Sequence, residues 1–161
     1  MKTSKITLMA LSIAVAMVLS FVESQIPAFV AIPGVKVGLA NIAVMFTLYK
    51  LGWKEAVVIS LVRVFMVSLL FGSAASLFYS AAGAVLSLLG MILLKKSGLF
   101  SMVAVSITGG VLHNVGQIAM ACILLETNVI KYYLPFLILS GIVAGVVVGL
   151  AAAVLIKRVK L

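Results

Sequence analysis

Apolar runs long enough to be helices follow one another through almost the whole chain, and short segments between them hold most of the charge. The runs cover 6–22, 37–49, 56–72, 75–94, 99–125 and 132–156. A helix needs about 20 apolar residues to cross a ~30 Å hydrocarbon core, and five of the six come near that length. The second is short and is expected to be tucked against its neighbours or extended by the preceding loop. Hydrophobic residues fill 65% of 161 positions, more than a soluble domain of this size can hide. The expected fold is an all-α membrane protein: one integral membrane domain, 1–161, with six transmembrane helices in a compact bundle.

The basic residues set an orientation. Lys2, Lys5, Lys50, Lys54, Lys95, Lys96, Lys157, Arg158 and Lys160 fall on one side of a six-span arrangement, and Lys36 and Lys131 on the other. Such a bias marks the cytoplasmic side, so the chain is expected to be a multi-pass protein of the cell membrane with both termini cytoplasmic. The net charge of +9 is accounted for by these loop clusters, and no nucleic-acid partner is expected. Lys2 and Lys5 ahead of an apolar run look like a signal peptide. The Ala14-Val15-Ala16 stretch lies in mid-run, however, where cleavage would leave an apolar stub, so the run is expected to stay as the first helix. Cys122 is the single cysteine, inside an apolar run, where a buried inert thiol is expected.

Arg63 breaks the apolar pattern at the centre of the third run. A charge at bilayer depth costs roughly 2.5–3.5 kcal/mol on insertion scales, which makes such a residue a functional candidate. Counting at 1.5 Å per residue puts Arg63 ~14 Å from the cytoplasmic surface and His113 ~21 Å from it. His113 and Gln117 are four apart and Asn114 and Gln117 three apart, so the three share one side of a helix. Asn41 and Tyr79 fall in the same outer half, and Glu23 caps the outer end of the first run. Glu23 and Arg63 differ by ~12 Å in depth, which argues against direct contact. A cup open to the outside needs this asymmetry, with a nearly dry inner half, whereas an ion wire needs polar groups at every depth. Each amide or imidazole taken singly also fits interhelical hydrogen bonding.

The segment 23–36 is the longest outer connection, punctuated by Pro27, Pro33 and Gly34 yet otherwise mostly apolar. It is expected to fold back over the bundle, and a lid and a packed structural loop fit it equally. Gly141, Gly145 and Gly149 lie at spacing four in the last run, and Ala10 and Ala14 in the first; small residues so placed let helix backbones approach.

Several chemistries are excluded. The chain has no aspartate and three glutamates, Glu23, Glu55 and Glu126, so the carboxylate cluster that holds Mg²⁺ on a diphosphate cannot be assembled. The stretch from Gly90 to Ser97 resembles a nucleotide-binding loop but lacks the second glycine before Lys95. His113 has no cysteine or carboxylate beside it to complete a metal site, and no nucleophile–base pair stands out. No catalytic residue, metal or cofactor is expected, and the chain is expected not to be an enzyme.

The strings Ile32-Pro-Gly-Val-Lys-Val-Gly-Leu-Ala-Asn-Ile42, Leu48-Tyr-Lys-Leu-Gly52, Leu61-Val-Arg-Val64, Leu70-Phe-Gly72 and Ser106-Ile-Thr-Gly-Gly-Val-Leu-His-Asn-Val-Gly-Gln117 resemble the Gx transporter family. Its relatives are also labelled heptaprenyl diphosphate synthase component I. The resemblance covers nearly the whole chain. The family is similar to the S-components of energy-coupling factor (ECF) importers. These are six-helix subunits that bind a vitamin-like micronutrient from outside and work with a transmembrane coupling protein and two ATPases. The resemblance implies docking of Ala10 and Ala14 on the coupling protein. It implies transport and not synthesis, since prenyl diphosphate synthases use aspartate-rich motifs. The alternative is a membrane accessory or scaffold subunit in isoprenoid or quinone metabolism. The candidate substrate-binding residues are Glu23, Lys36, Asn41, Arg63, Tyr79, His113, Asn114 and Gln117. They would suit an anionic or carbonyl-rich heterocycle such as a flavin, pyrimidine or quinone precursor.

Overall fold

The computed structural model describes residues 2–25 and 38–159. Every regular element among them is helical: α1 (Lys2–Gln25), α2 (Asn41–Lys50), α3 (Trp53–Phe71), α4 (Ala74–Ser97), α5 (Met102–Leu124) and α6 (Leu134–Arg158), with a 3₁₀ turn at Val129–Tyr133 before α6. Lys36, Lys160 and the 26–36 part of the expected loop or lid lie outside the described residues.

Local chemistry sets the boundaries. Ser73 caps α4 by a reciprocal pair of hydrogen bonds with Ser76, satisfying N–H groups that have no partner in the first turn. Gly98 ends α4 at φ +68°, a left-handed conformation that glycine adopts without a Cβ penalty. Ser101 then caps α5 by accepting from the Ala104 N–H at 3.2 Å. Pro135 sits in the first turn of α6, where its missing N–H costs nothing.

Four helical stretches are long and apolar enough to cross a membrane: Lys5–Gln25, Ala74–Ser97, Met102–Leu124 and Val129–Arg158. By length and composition α2 and α3 fall short of that measure, and six helices in one bundle agree with the expected fold. α2 has 10 residues, only ~15 Å of helix. α3 has 19, ~28 Å, but it carries Lys54, Glu55 and Arg63. Outward faces are apolar throughout the bundle: Leu11, Val18, Leu69, Leu93, Ile123, Phe136 and Leu139 are among many exposed large side chains, as in a chain whose solvent is lipid.

The helices run alternately up and down. Gly141, Gly145 and Gly149 of α6 meet Gly110, Ile107 and Val103 of α5 in reverse order. Lys5 pairs with Glu55 at 2.5 Å, and Lys95 donates to the Leu48 carbonyl. One end of the bundle therefore gathers Lys5, Lys50, Lys54, Lys95, Lys96, Lys157 and Arg158, together with both ends of the described chain. Glu23 and Gly38 lie at the other end.

α5 is the central element, packed most extensively on α4 and α6. With no hydrophobic drive between helices in lipid, association depends on close packing, and glycine provides it. A Cβ on Gly145 would stand 2.5 Å from the Ile107 Cα, and one on Gly116 2.8 Å from the Gly83 Cα. The apolar core lies toward the lysine-rich end, where Val44, Met45, Leu48, Ala56, Leu88, Met91, Val105, Val148 and Ala152 cluster. Ser12, Ser60, Ser87 and Ser106 are also buried, so the lysine-rich half is less dry than expected, although among the described residues it buries no amide or charge.

Candidate functional site

The central helix carries a continuous stripe. Ser106, Gly109, Gly110, His113, Asn114 and Gln117 recur at helical spacing on one face of α5, and all six line a single cavity. Each of the other five helices also contributes: Ser20, Glu23 and Ser24 from α1, Asn41 and Met45 from α2, Arg63, Val64, Val67, Ser68 and Phe71 from α3, Ser76, Ser80 and Met91 from α4, and Gly141, Ala144, Gly145 and Val148 from α6. The cavity has a volume of about 210 Å³, below the ~300–1,000 Å³ of pockets for drug-sized ligands. The core cluster closes it toward the lysine-rich end, since Met45, Met91 and Val148 belong to both.

Arg63 and Glu23 are the charged residues on the described wall. The Arg63 Nη1 donates to the Asn41 Oδ1 at 3.3 Å, which uses one of five guanidinium N–H donors. The Glu23 carboxylate accepts from the Gly38 N–H at 2.5 Å, fixing the start of the turn into α2. Glu23 and Arg63 line the same cavity, and their hydrogen bonds go to different partners, Gly38 and Asn41.

His113 and Gln117 stand against Gly83 of α4. A Cβ there would lie 2.7 Å from the His113 carbonyl oxygen and 3.0 Å from both the His113 Nδ1 and the Gln117 Cγ. Asn114 is buried, and its Nδ2 donates to the Leu137 carbonyl of α6 at 2.6 Å. One side of Asn114 is therefore interhelical glue, while its residue still forms part of the wall.

Tyr79 does not line the cavity. α4 turns Ser76 and Ser80 toward it, and Tyr79, one residue before Ser80, points ~100° away around the helix. Tyr79 lies between two lining residues in sequence, but a binding position also needs the right face. Ser106, Gly109 and Gly110 are further lining residues, not expected from the sequence, although they continue the stripe of His113, Asn114 and Gln117 at the same spacing. Equally unexpected is the α3 wall beyond Arg63, where Val64, Val67, Ser68 and Phe71 follow at helical intervals. Ala10 and Ala14 are exposed on α1, whose inward stripe is Ser12, Ala16 and Ser20.

Chemically, this is a polar chamber with one cation, one anion, three amides, an imidazole and several hydroxyls, above an apolar floor. Such groups bind and orient a small molecule. Among the described residues no group of three or more His, Cys, Asp or Glu is arranged to hold a metal ion.

No curated protein and no solved structure matches the chain. A family model does, over residues 12–155: the chain belongs to the family described as heptaprenyl diphosphate synthase component I.

Proposed function

We propose that this chain is the substrate-binding membrane subunit, or S-component, of an ECF-type importer, capturing a small micronutrient-like solute from outside the cell. The observation that carries the proposal is the convergence of Glu23, Asn41, Arg63, His113, Asn114 and Gln117 on one cavity to which all six helices contribute. A scaffold has no need of a polar chamber with a guanidinium in it, and a buried charge of this kind persists where it has work to do. In this proposal the end of the bundle near Glu23 faces outward, and both termini are cytoplasmic. The ligand lies between α3 and α5. Ala10 and Ala14, exposed on α1, form the surface that docks a transmembrane coupling protein, and two ATPase subunits drive the cycle. The chain itself performs no catalysis.

The family description favours a second reading, an accessory subunit in isoprenoid metabolism. A catalytic role in that chemistry is opposed by the absence of any aspartate, since a diphosphate is activated through carboxylate-bound Mg²⁺. Mass spectrometry of small molecules released from the purified chain separates the readings. The transport proposal expects one polar solute retained in near-stoichiometric amount and lost from the Arg63→Ala variant, with uptake of that solute depending on the chain. Equal retention of nothing by both preparations would sink it.

A further inference from the structure

We infer that the outer surface of the α3–α4 pair binds an anionic phospholipid at the lysine-rich end of the bundle. Its phosphate is held by Lys54 and Lys96 beside Trp53, and its acyl chains lie along the outward faces of the two helices. The inference concerns the lipid-facing surface and stands apart from what the chamber binds.

Trp53 is the single tryptophan of the chain. It opens α3 and is 46% exposed, at a helix end where an amphipathic indole suits the headgroup layer. Two ammonium groups from different helices converge on it. The Lys54 Nζ lies 5.7 Å from the ring centroid, and the Lys96 Nζ, from the end of α4, lies 5.4 Å from it. The ring attracts both, although like charges repel. Among the described residues no carboxylate balances them: Glu23 and Glu126 lie at the other end of the bundle, and Glu55 is paired with Lys5 at 2.5 Å. Lys95, the neighbour of Lys96, is engaged elsewhere, donating to the Leu48 carbonyl and lying 4.9 Å from the Tyr49 ring centroid. The pair at Trp53 thus concentrates unbalanced charge, and a phosphate can accept charge-assisted hydrogen bonds from both ammonium groups.

An apolar stripe leads away from each lysine. Lys54, Val58, Leu61 and Phe65 recur at helical spacing on α3 and are exposed, as are Lys96, Leu93, Leu89 and Val85 on α4. The two helices pack together and run in opposite directions, so both stripes lead from the shared indole toward the bilayer centre. Lys96 to Val85 is eleven residues, ~16 Å of helix, which matches one leaflet of a ~30 Å hydrocarbon core. Cations therefore stand at headgroup level and apolar side chains along the depth of the acyl chains. Basic pockets between membrane helices on the cytoplasmic side take anionic headgroups in this way. A lipid so held also fixes the depth of α3, the helix that carries Arg63.

The indole is also the reporter, since no other tryptophan contributes to the emission. The full chain is reconstituted in mixed vesicles of phosphatidylcholine and phosphatidylglycerol, with one lipid or the other brominated near the top of its chains, and quenching of Trp53 is measured. The expected result is preferential quenching by phosphatidylglycerol, each lysine accounting for up to about fivefold of the preference. Lys54→Gln with Lys96→Gln should abolish the preference, and Lys54→Arg with Lys96→Arg should keep it. Lys157→Gln with Arg158→Gln should also keep it, because this pair removes the same charge at the same end from α6, which packs on α2 and α5. If the two glutamine pairs lower the preference equally, the attraction belongs to the charged end as a whole and the site is wrong. Equal quenching of the wild type by the two lipids overturns the inference as well. Inorganic phosphate that displaces phosphatidylglycerol, against chloride at matched ionic strength, would make the ligand a free anion and overturn the lipid.

Discussion

The Asn114 side-chain amide donates to the Leu137 carbonyl oxygen at 2.6 Å, spanning the interface between α5 and α6 one turn above the close approach of Gly110 to Gly141. Leu137 is buried and is the i−4 residue to Gly141, so its carbonyl already serves the helix ladder. Asn114 adds a second donor to it.

Replacing Asn114 by Ala should therefore lower stability before it lowers affinity. Interhelical hydrogen bonds in membranes average ~0.6 kcal/mol and reach ~1.7, so a loss of about 1 kcal/mol is expected in reversible unfolding in detergent. Asn114→Asp should cost more, because a carboxylate not only fails to donate but sets a buried negative charge against the Leu137 carbonyl oxygen. A tenfold loss of ligand affinity at unchanged stability would contradict this division of roles.

Arg63→Ala should show the reverse pattern. Charged hydrogen bonds contribute about 1.5–3 kcal/mol, which predicts a loss of ligand affinity of roughly tenfold to a hundredfold. The thermal midpoint without ligand should move less, because the guanidinium faces the cavity and its side-chain hydrogen bond, to Asn41, is long at 3.3 Å. Ligand retention and melting measured on the same preparations check both halves of the prediction.

The glycines should rank by what surrounds them. Gly145→Ala drives a methyl into the backbone of Ile107, and overpacking of this kind costs about 1–3 kcal/mol. Gly90→Ala meets first the tip of the Leu112 side chain, which can swing aside, so it should be the milder change. Unfolding midpoints for the pair give the order directly, and a reversal would show that the α5–α6 contact yields more readily than backbone-to-backbone packing allows.

Enlarging Ala10 and Ala14 to Leu should leave folding and ligand retention intact, since both are exposed. On the importer proposal the double variant loses co-purification with the coupling protein and loses uptake. Unchanged uptake would remove α1 as the docking face.

Much of this architecture is legible in the sequence because lipid-facing helices advertise themselves by hydropathy: α4, α5 and α6 begin and end within three residues of the expected runs. α2 is less so. Its apolar run joins a turn, 38–40, to a helix of ten residues, and hydropathy does not distinguish the two. Within the site, His113, Asn114 and Gln117 could be grouped because they share one helix and one face. Tyr79 could not be placed, because depth is read by counting from a helix end, whereas facing depends on which neighbours a helix finds. For Asn114 the sequence leaves both roles open, and its partner is out of reach, since the Leu137 carbonyl it bonds belongs to another helix.

Among the described residues, the glycine contacts that bring the backbones of two helices together lie among α4, α5 and α6, while α1, α2 and α3 meet one another and that trio more sparingly. The bundle is thus held together in two ways: backbone against backbone on one side and side chain against side chain on the other, with the seam running through the chamber. Arg63 stands on the side-chain-packed half, and His113 and Gln117 on the backbone-packed one. On the importer proposal, a molecule held by both would be a clasp across that seam.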